Sequence, residues 1–222
     1  MSRLIDVSHS IESGVVTYPG LPAPLVCDFL SREDSRRHYD PGTTFQIARI
    51  EMVANTGTYV DVPFHRFADG ADLACMPLDH LADLDGVMLD ASGCGRAIDR
   101  DFFEGRDVRE KAVLVRTGWD RHWATPAYFE GHPYLTREAA QWLLAEGARL
   151  VGIDSLNIDD IRDGSRPVHT ILLGARIPIA EHLCRLGDLP ASGFRFHAAP
   201  ARFHGAGTFP VRAYGVLTGP GV

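Results

Sequence analysis

Apolar residues recur along this chain in short runs broken by Gly, Pro or Asp. The runs FQIARIEMV (45–53), GVMLDA (86–91), AVLVRT (112–117), RLVGID (149–154), FRFHAA (194–199) and VRAYGVL (211–217) read as strands. The clearest helix spans Thr136 to about Gly147. Thr136 caps it, Glu138 sits in its first turn, Ala139, Trp142 and Leu143 form an apolar stripe, and Gly147 suits the exit. Leu150 to Asp154 follows as a buried strand. A second helix is expected to begin near Pro178 and to include Glu181 and Leu183. Strands outnumber helices, so the pattern predicts a mixed α/β fold rich in sheet. No linker-like stretch, repeat or low-complexity tract divides residues 1–222, and a single domain is expected.

Composition narrows the partners. Hydrophobic residues make up 45% and charged residues 23%, as in soluble globular chains. The net charge of −7 argues against nucleic acid or an anionic membrane as the main partner. It leaves room for a small anionic substrate in a locally basic pocket. No apolar run reaches the roughly 18 residues of a membrane span, and MSRLIDVSHSIESG lacks the apolar core of a signal peptide. Cys27, Cys75, Cys94 and Cys184 lie far apart with no CxxC, which reads as reduced thiols in a cytoplasmic protein. The absence of GxSxG, P-loop and GxGxxG patterns removes support for a serine nucleophile elbow and for nucleotide binding.

Chemistry concentrates in NTGTYVDVPFH (55–65). Taken as extended, this stretch puts Asn55, Gly57, Tyr59 and Asp61 on one face. An amide, a phenol and a carboxylate in a row look towards a polar cavity. Gly57 leaves room for a ligand or another backbone, and Pro63 should end the pairing and hang His65 on a turn beside the same cavity. The plainer alternative is a solvated polar strand face followed by a turn.

Blocks elsewhere weigh against that alternative. LIDVSHSIESGVVTYPG, NTGTYVDVPFHRFADG, VLVRTGW, LVGIDSLNID, HTILLGARIPIAEHLCRL and FRFHAAPARFHGAGTFPVRAYGVL occur in this order. Over nearly its whole length the chain resembles the metal-dependent cyclase/kynurenine formamidase family, which includes isatin hydrolase-like enzymes. The resemblance implies a compact β/β/α, swivelling-domain-like cyclase fold with sheets packed together and helices on one side. It also implies a homodimer or homotetramer acting on a small molecule. The family pattern H-x-G-T-H-x-D-x-P-x-H supplies two histidines and an aspartate as metal ligands and a last histidine as general acid/base. Gly57, Thr58, Asp61, Pro63 and His65 match it; Asn55 and Tyr59 replace the two early histidines. A later histidine and a glutamate twelve residues beyond match His169 and Glu181.

The resemblance therefore implies one Zn²⁺ or Mn²⁺ at Asp61, His169 and Glu181, in place of two ions. His65 is the expected general acid/base, and Asn55, Tyr59 and Tyr18 the expected substrate contacts. For Tyr18 the alternative is a turn aromatic before Pro19-Gly20. The implied reaction is hydrolysis of a C–N bond in a small non-peptide amide, an aryl formamide or a lactam-like compound. A metal-free cyclase, dehydratase or isomerase is the alternative: amide and phenol would donate to a carbonyl oxygen or enolate. A third reading is a binding protein that has lost its metals. Arg66 either holds a substrate carboxylate or pairs with Asp69 or Asp72. His9 and Asp154 read as structural, and GWDRHWATPAYF as a lid or subunit contact.

Overall fold

The computed structural model describes residues 2–218. The strands are β1 (Ser2–Asp6), β2 (Leu25–Leu30), β3 (Ile47–Glu51), β4 (Tyr59–Asp61), β5 (Leu84–Asp90), β6 (Ala97–Ile98) and β7 (Lys111–Arg116). They continue with β8 (Tyr134–Leu135), β9 (Leu150–Ile153), β10 (Ile179–Glu181), β11 (Ser192–His197), β12 (Thr208–Pro210) and β13 (Tyr214–Thr218). The α-helices are α1 (Arg32–Ser35), α2 (Arg100–Phe103), α3 (Arg137–Ala145) and α4 (Pro167–Gly174).

Nine strands form one sheet in the order β1-β13-β11-β5-β7-β9-β10-β4-β12. Its centre, β5, β7, β9 and β10, is parallel, and both flanks are antiparallel. Parallel neighbours need crossovers, and α3 and α4 supply those leading into β9 and β10. Alternation along β7 divides the interior. Val113 and Val115 pack with Phe103, Ala139, Leu143 and Leu172 on the helical side. Ala112 and Leu114 face Phe194, Phe196, Val60 and Leu183 on the other. The result is a mixed α/β fold with helices against one face. No described helix is long and apolar enough to cross a membrane.

The expected helix at 136–147 is present as α3, with the Thr136 hydroxyl accepting from Ala139 N at 3.2 Å. The helix expected near Pro178 is absent. Ile179–Glu181 is instead a wholly buried strand, paired with both β9 and β4. The helix lies earlier, over Pro167–Gly174, where Pro167 opens it and Asp159 accepts from Val168 N and His169 N. Residues 55–58 are not extended either. Gly57 is left-handed at φ +66°, and a β-carbon there would press on Ile11. The strand begins only at Tyr59 and stops before the turn at Pro63–His65.

Candidate active site

Three elements build the site. β4 and β10 pair antiparallel, with Tyr59 opposite Glu181 and Asp61 opposite Ile179. Val60 and Ala180 fill the helix-free core, so Tyr59, Asp61 and Glu181 point to the helical side. There the first turn of α4 presents His169. Tyr18, Asn55, Tyr59, His65, His169 and Glu181 line one cavity of about 360 Å³, with Leu21, Arg66, Asn157 and Arg166. Asp61 lies beneath it, fully buried. All seven residues singled out from the sequence thus converge.

His169 is oriented from behind: its Nδ1 donates to Asp159 Oδ2 at 2.6 Å. Its Nε2 then faces Asp61 Oδ2 at 3.6 Å and Glu181 Oε1 at 3.7 Å. Burial opposes a charge on this imidazole, but Asp159, Asp61 and Glu181 around it push its pKa up to about 10. Burial drives Glu181 up to about 7, against the pull of His169. Burial also works to raise Asp61, and the adjacent His65 and His169 overcome it and hold the carboxyl below its ordinary value.

The floor of the cavity offers donor atoms for a cation. Asp61 Oδ2 is buried with no hydrogen-bond partner, an expensive arrangement unless something positive meets it. Asp61 Oδ2 and Glu181 Oε1 each stand near His169 Nε2, but Glu181 falls outside the trio of donors that lie within 4.8 Å of one another. The carboxylate behind the imidazole is the usual support for a metal-binding histidine. His65 is also near: Asp61, His65 and His169 each offer an atom within 4.8 Å of the others.

Tyr59 stands at the position of the family pattern's second early histidine and is held in a buried hydrogen-bonded chain. Its hydroxyl donates to Glu181 Oε2 at 2.7 Å and accepts from His182 Nε2 at 3.2 Å. Tyr128 OH in turn donates to His182 Nδ1 at 2.9 Å. With Glu181 ionised, every proton on this chain has one acceptor and no member need carry positive charge. Burial agrees, pushing His182 down to about 3 and Tyr59 well above its ordinary value. Tyr59 is therefore a neutral donor to Glu181, and its proton is not directed at the cavity. The aromatic loop feeds the same chain: Tyr128 packs on His182, and Trp123 stacks on His9 at 3.9 Å. It lies behind the site and does not line the cavity.

His65 has its own relay. Thr208 Oγ1 donates to Asp61 Oδ1 and so accepts from His65 Nδ1 at 2.7 Å. The second ring nitrogen, Nε2, keeps its lone pair for the cavity. Sequence reading gave no role to Thr208, Asp159, Asn157 or Arg166. Asp159 and Asn157 belong to LVGIDSLNID, one of the blocks that carry the resemblance, which was the available signal. Asp154 is a structural cap, accepting from Thr117 N, Thr117 Oγ1 and Gly118 N.

Gly207 holds this turn in place, since a β-carbon there would overlap the His65 backbone. Gly207→Ala is expected to cost about 1–3 kcal/mol of stability, as overpacking does, and to lower kcat by moving His65 off Thr208. Thermal melts and kinetics on the same preparation check both effects.

A small cavity floored by ionisable groups that hold one another's protons suits a hydrolytic enzyme better than a passive binding module. The family model described as "Putative cyclase" matches residues 5–160, and the chain belongs to this cyclase family as a hydrolase-type member. It is 29% identical over 217 residues to the kynurenine formamidase of Bordetella avium (strain 197N), covering 96% of this chain and 97% of that protein. It is 26% identical over 200 residues to the kynurenine formamidase of Erythrobacter litoralis (strain HTCC2594), covering 90% and 87%. A solved structure described as a potential metal-dependent hydrolase with cyclase activity superposes with a TM-score of 0.81 at 26% identity, covering 99% of this chain and 100% of that one. Isatin hydrolase A from Labrenzia aggregata shares the fold, with a TM-score of 0.82 at 22% identity over 98% and 94% of the two chains.

Proposed function

We propose that this chain hydrolyses a C–N bond of a small non-peptide amide, an aryl formamide or a lactam-like compound, using one divalent cation, zinc or manganese. The observation that carries the reading is the partnerless Asp61 Oδ2 facing His169 Nε2, next to an imidazole free to move a proton. The kynurenine formamidase relatives support the formamide class. Asp61, His169 and Glu181 would hold the cation, which when bound supplies Lewis acidity and lowers the pKa of a water. His65 Nε2 would take a proton from the attacking water and return it to the departing nitrogen, while Nδ1 stays tied to Thr208. Asp159 fixes the His169 ring, and Tyr59 fixes Glu181. Tyr18, whose hydroxyl accepts from Arg166, and Asn55 line the cavity and would donate to the substrate.

One observation favours the metal-free cyclase, dehydratase or isomerase instead: a charged His169 compensates the surrounding carboxylates by itself. Turnover of an aryl formamide in ¹⁸O-water, with elemental analysis of protein purified without chelator, separates the readings. We expect label in the released acid and one equivalent of metal per chain. Full activity in EDTA with substoichiometric metal would overturn the metal reading; product without label would overturn hydrolysis.

The chain is further proposed to self-associate. Among the described residues β2 and β3 pair only with each other and leave Phe29 76% and Ile50 60% exposed, with Leu25, Val26 and Ile47 also in solvent. A two-stranded ribbon is marginal alone, and its apolar surface asks for a cover. Light scattering is expected to show a dimer or tetramer that Phe29→Asp with Ile50→Asp reduces to monomer. A monomeric parent protein would refute this.

A further inference from the structure

We infer that Arg166 and Arg66 form a subsite for a carboxylate, so that the preferred substrate carries an acid group away from the bond that breaks. The inference rests on the amide hydrolysis proposed above and adds the charge of the substrate.

The cavity has two chemically different parts. Asp61, Glu181, His65 and His169 form the reacting floor, while Arg66 and Arg166 add two guanidinium groups to its lining. Arg166 is half-buried. Its Nη1 donates to Asn157 Oδ1 at 3.2 Å and its Nη2 to Tyr18 OH at 3.1 Å, both neutral acceptors. These contacts aim the fork without neutralising it. Arg66 donates from Nε to Thr170 Oγ1 at 3.3 Å, again a neutral acceptor. Thr170 is one turn along α4 from Arg166, with its N–H on Arg166 O at 3.0 Å. The Arg66 guanidinium is thus anchored to the α4 turn that Arg166 opens, while the Arg166 guanidinium is held by Asn157 and Tyr18. Among the described residues, no carboxylate forms an ion pair with either.

The acids of the neighbouring loop are engaged elsewhere. Asp160 binds Arg162 at 2.6 Å, and Asp163 accepts from Ser165 N at 2.8 Å. Arg166 itself adopts a left-handed backbone, φ 46° and ψ 62°, unusual for a residue with a side chain. A partly desolvated cation held by neutral groups is a poor arrangement until an anion arrives. A guanidinium fork is suited to a planar carboxylate. A cavity of about 360 Å³ is large enough for a ring bearing such a group. The alternative role for Arg166 is to clamp the Tyr18 loop, and a clamp would not distinguish charged from neutral ligands.

The test is calorimetric binding of benzoate and of benzamide to the metal-loaded protein, repeated on Arg166→Gln and on Arg66→Gln/Arg166→Gln. Benzoate should bind the parent protein about tenfold more tightly or better, in line with hydrogen bonds between charged groups. The preference should shrink in the single variant and disappear in the double one. Equal binding of the two ligands by the parent overturns the proposal and depends on no variant folding. A preference that survives in a folded double variant also overturns it, since the cation or His169 would then be holding the anion. Turnover of formanilide and 3-formamidobenzoate is measured alongside. Failure to hydrolyse either one counts against the amide reading and leaves the benzoate result to decide the subsite.

Discussion

His65→Ala lowers kcat on an aryl formamide by about 10²- to 10⁴-fold, the usual contribution of a positioned acid–base group. KM and metal content stay near those of the parent protein. The reasoning follows the relay. Thr208 gives its proton to Asp61 Oδ1, accepts the one on His65 Nδ1, and so presents Nε2 as the base. Alanine removes the proton carrier and leaves Asp61, His169 and Glu181 untouched. Thr208→Val is expected to be milder, because the ring stays but loses the acceptor that selects its tautomer. Steady-state kinetics with metal analysis on each variant decides the matter. An unchanged kcat in His65→Ala would remove this imidazole from the mechanism.

His169→Ala has the wider effect: it abolishes both metal binding and turnover, and it destabilises the fold. The ring is the one nitrogen among the three proposed ligands, and it also separates Asp159 from Asp61 and Glu181. Without it, buried carboxylates face each other with no positive group between them. Removing one partner of a buried ion pair typically costs about 3–5 kcal/mol. The fall in melting temperature should therefore persist in EDTA, where no cation contributes. Asp159→Asn should weaken metal affinity by about 10- to 100-fold, as loss of a supporting hydrogen bond does. Metal titration and melts with and without chelator measure all three quantities. A His169→Ala protein that binds one equivalent at parental affinity would exclude His169 as a ligand.

The sequence made β3, β5, β7, β9, β11, β13 and α3 legible because their signals are local: apolar runs between breakers, and Thr136 three residues from the N–H it caps. α4 escaped because its cap is remote; Asp159 holds Val168 N and His169 N from outside the helix. β10 reads as helix in the sequence because three residues buried on both faces have no polar alternation to declare them. The site shows the same division. Asp61, His65, His169 and Glu181 could be picked out from ordered motifs. Thr208 reaches Asp61 across 147 residues, and Arg166 reaches Tyr18 across 148, so only the folded chain reveals them. Tyr59 was legible as a substitution, but its hydroxyl could not be assigned to Glu181 until β4 and β10 were seen in register.

That register ties activity to global integrity. Asp61 and Glu181 ride on two short strands buried inside the sheet, with β9 and β12 as outer neighbours. Neither carboxylate can leave its place by the fraying of a loop; the sheet itself must open. Heating should therefore extinguish catalysis and cooperative structure together, and amide exchange along these strands should be among the slowest in the molecule.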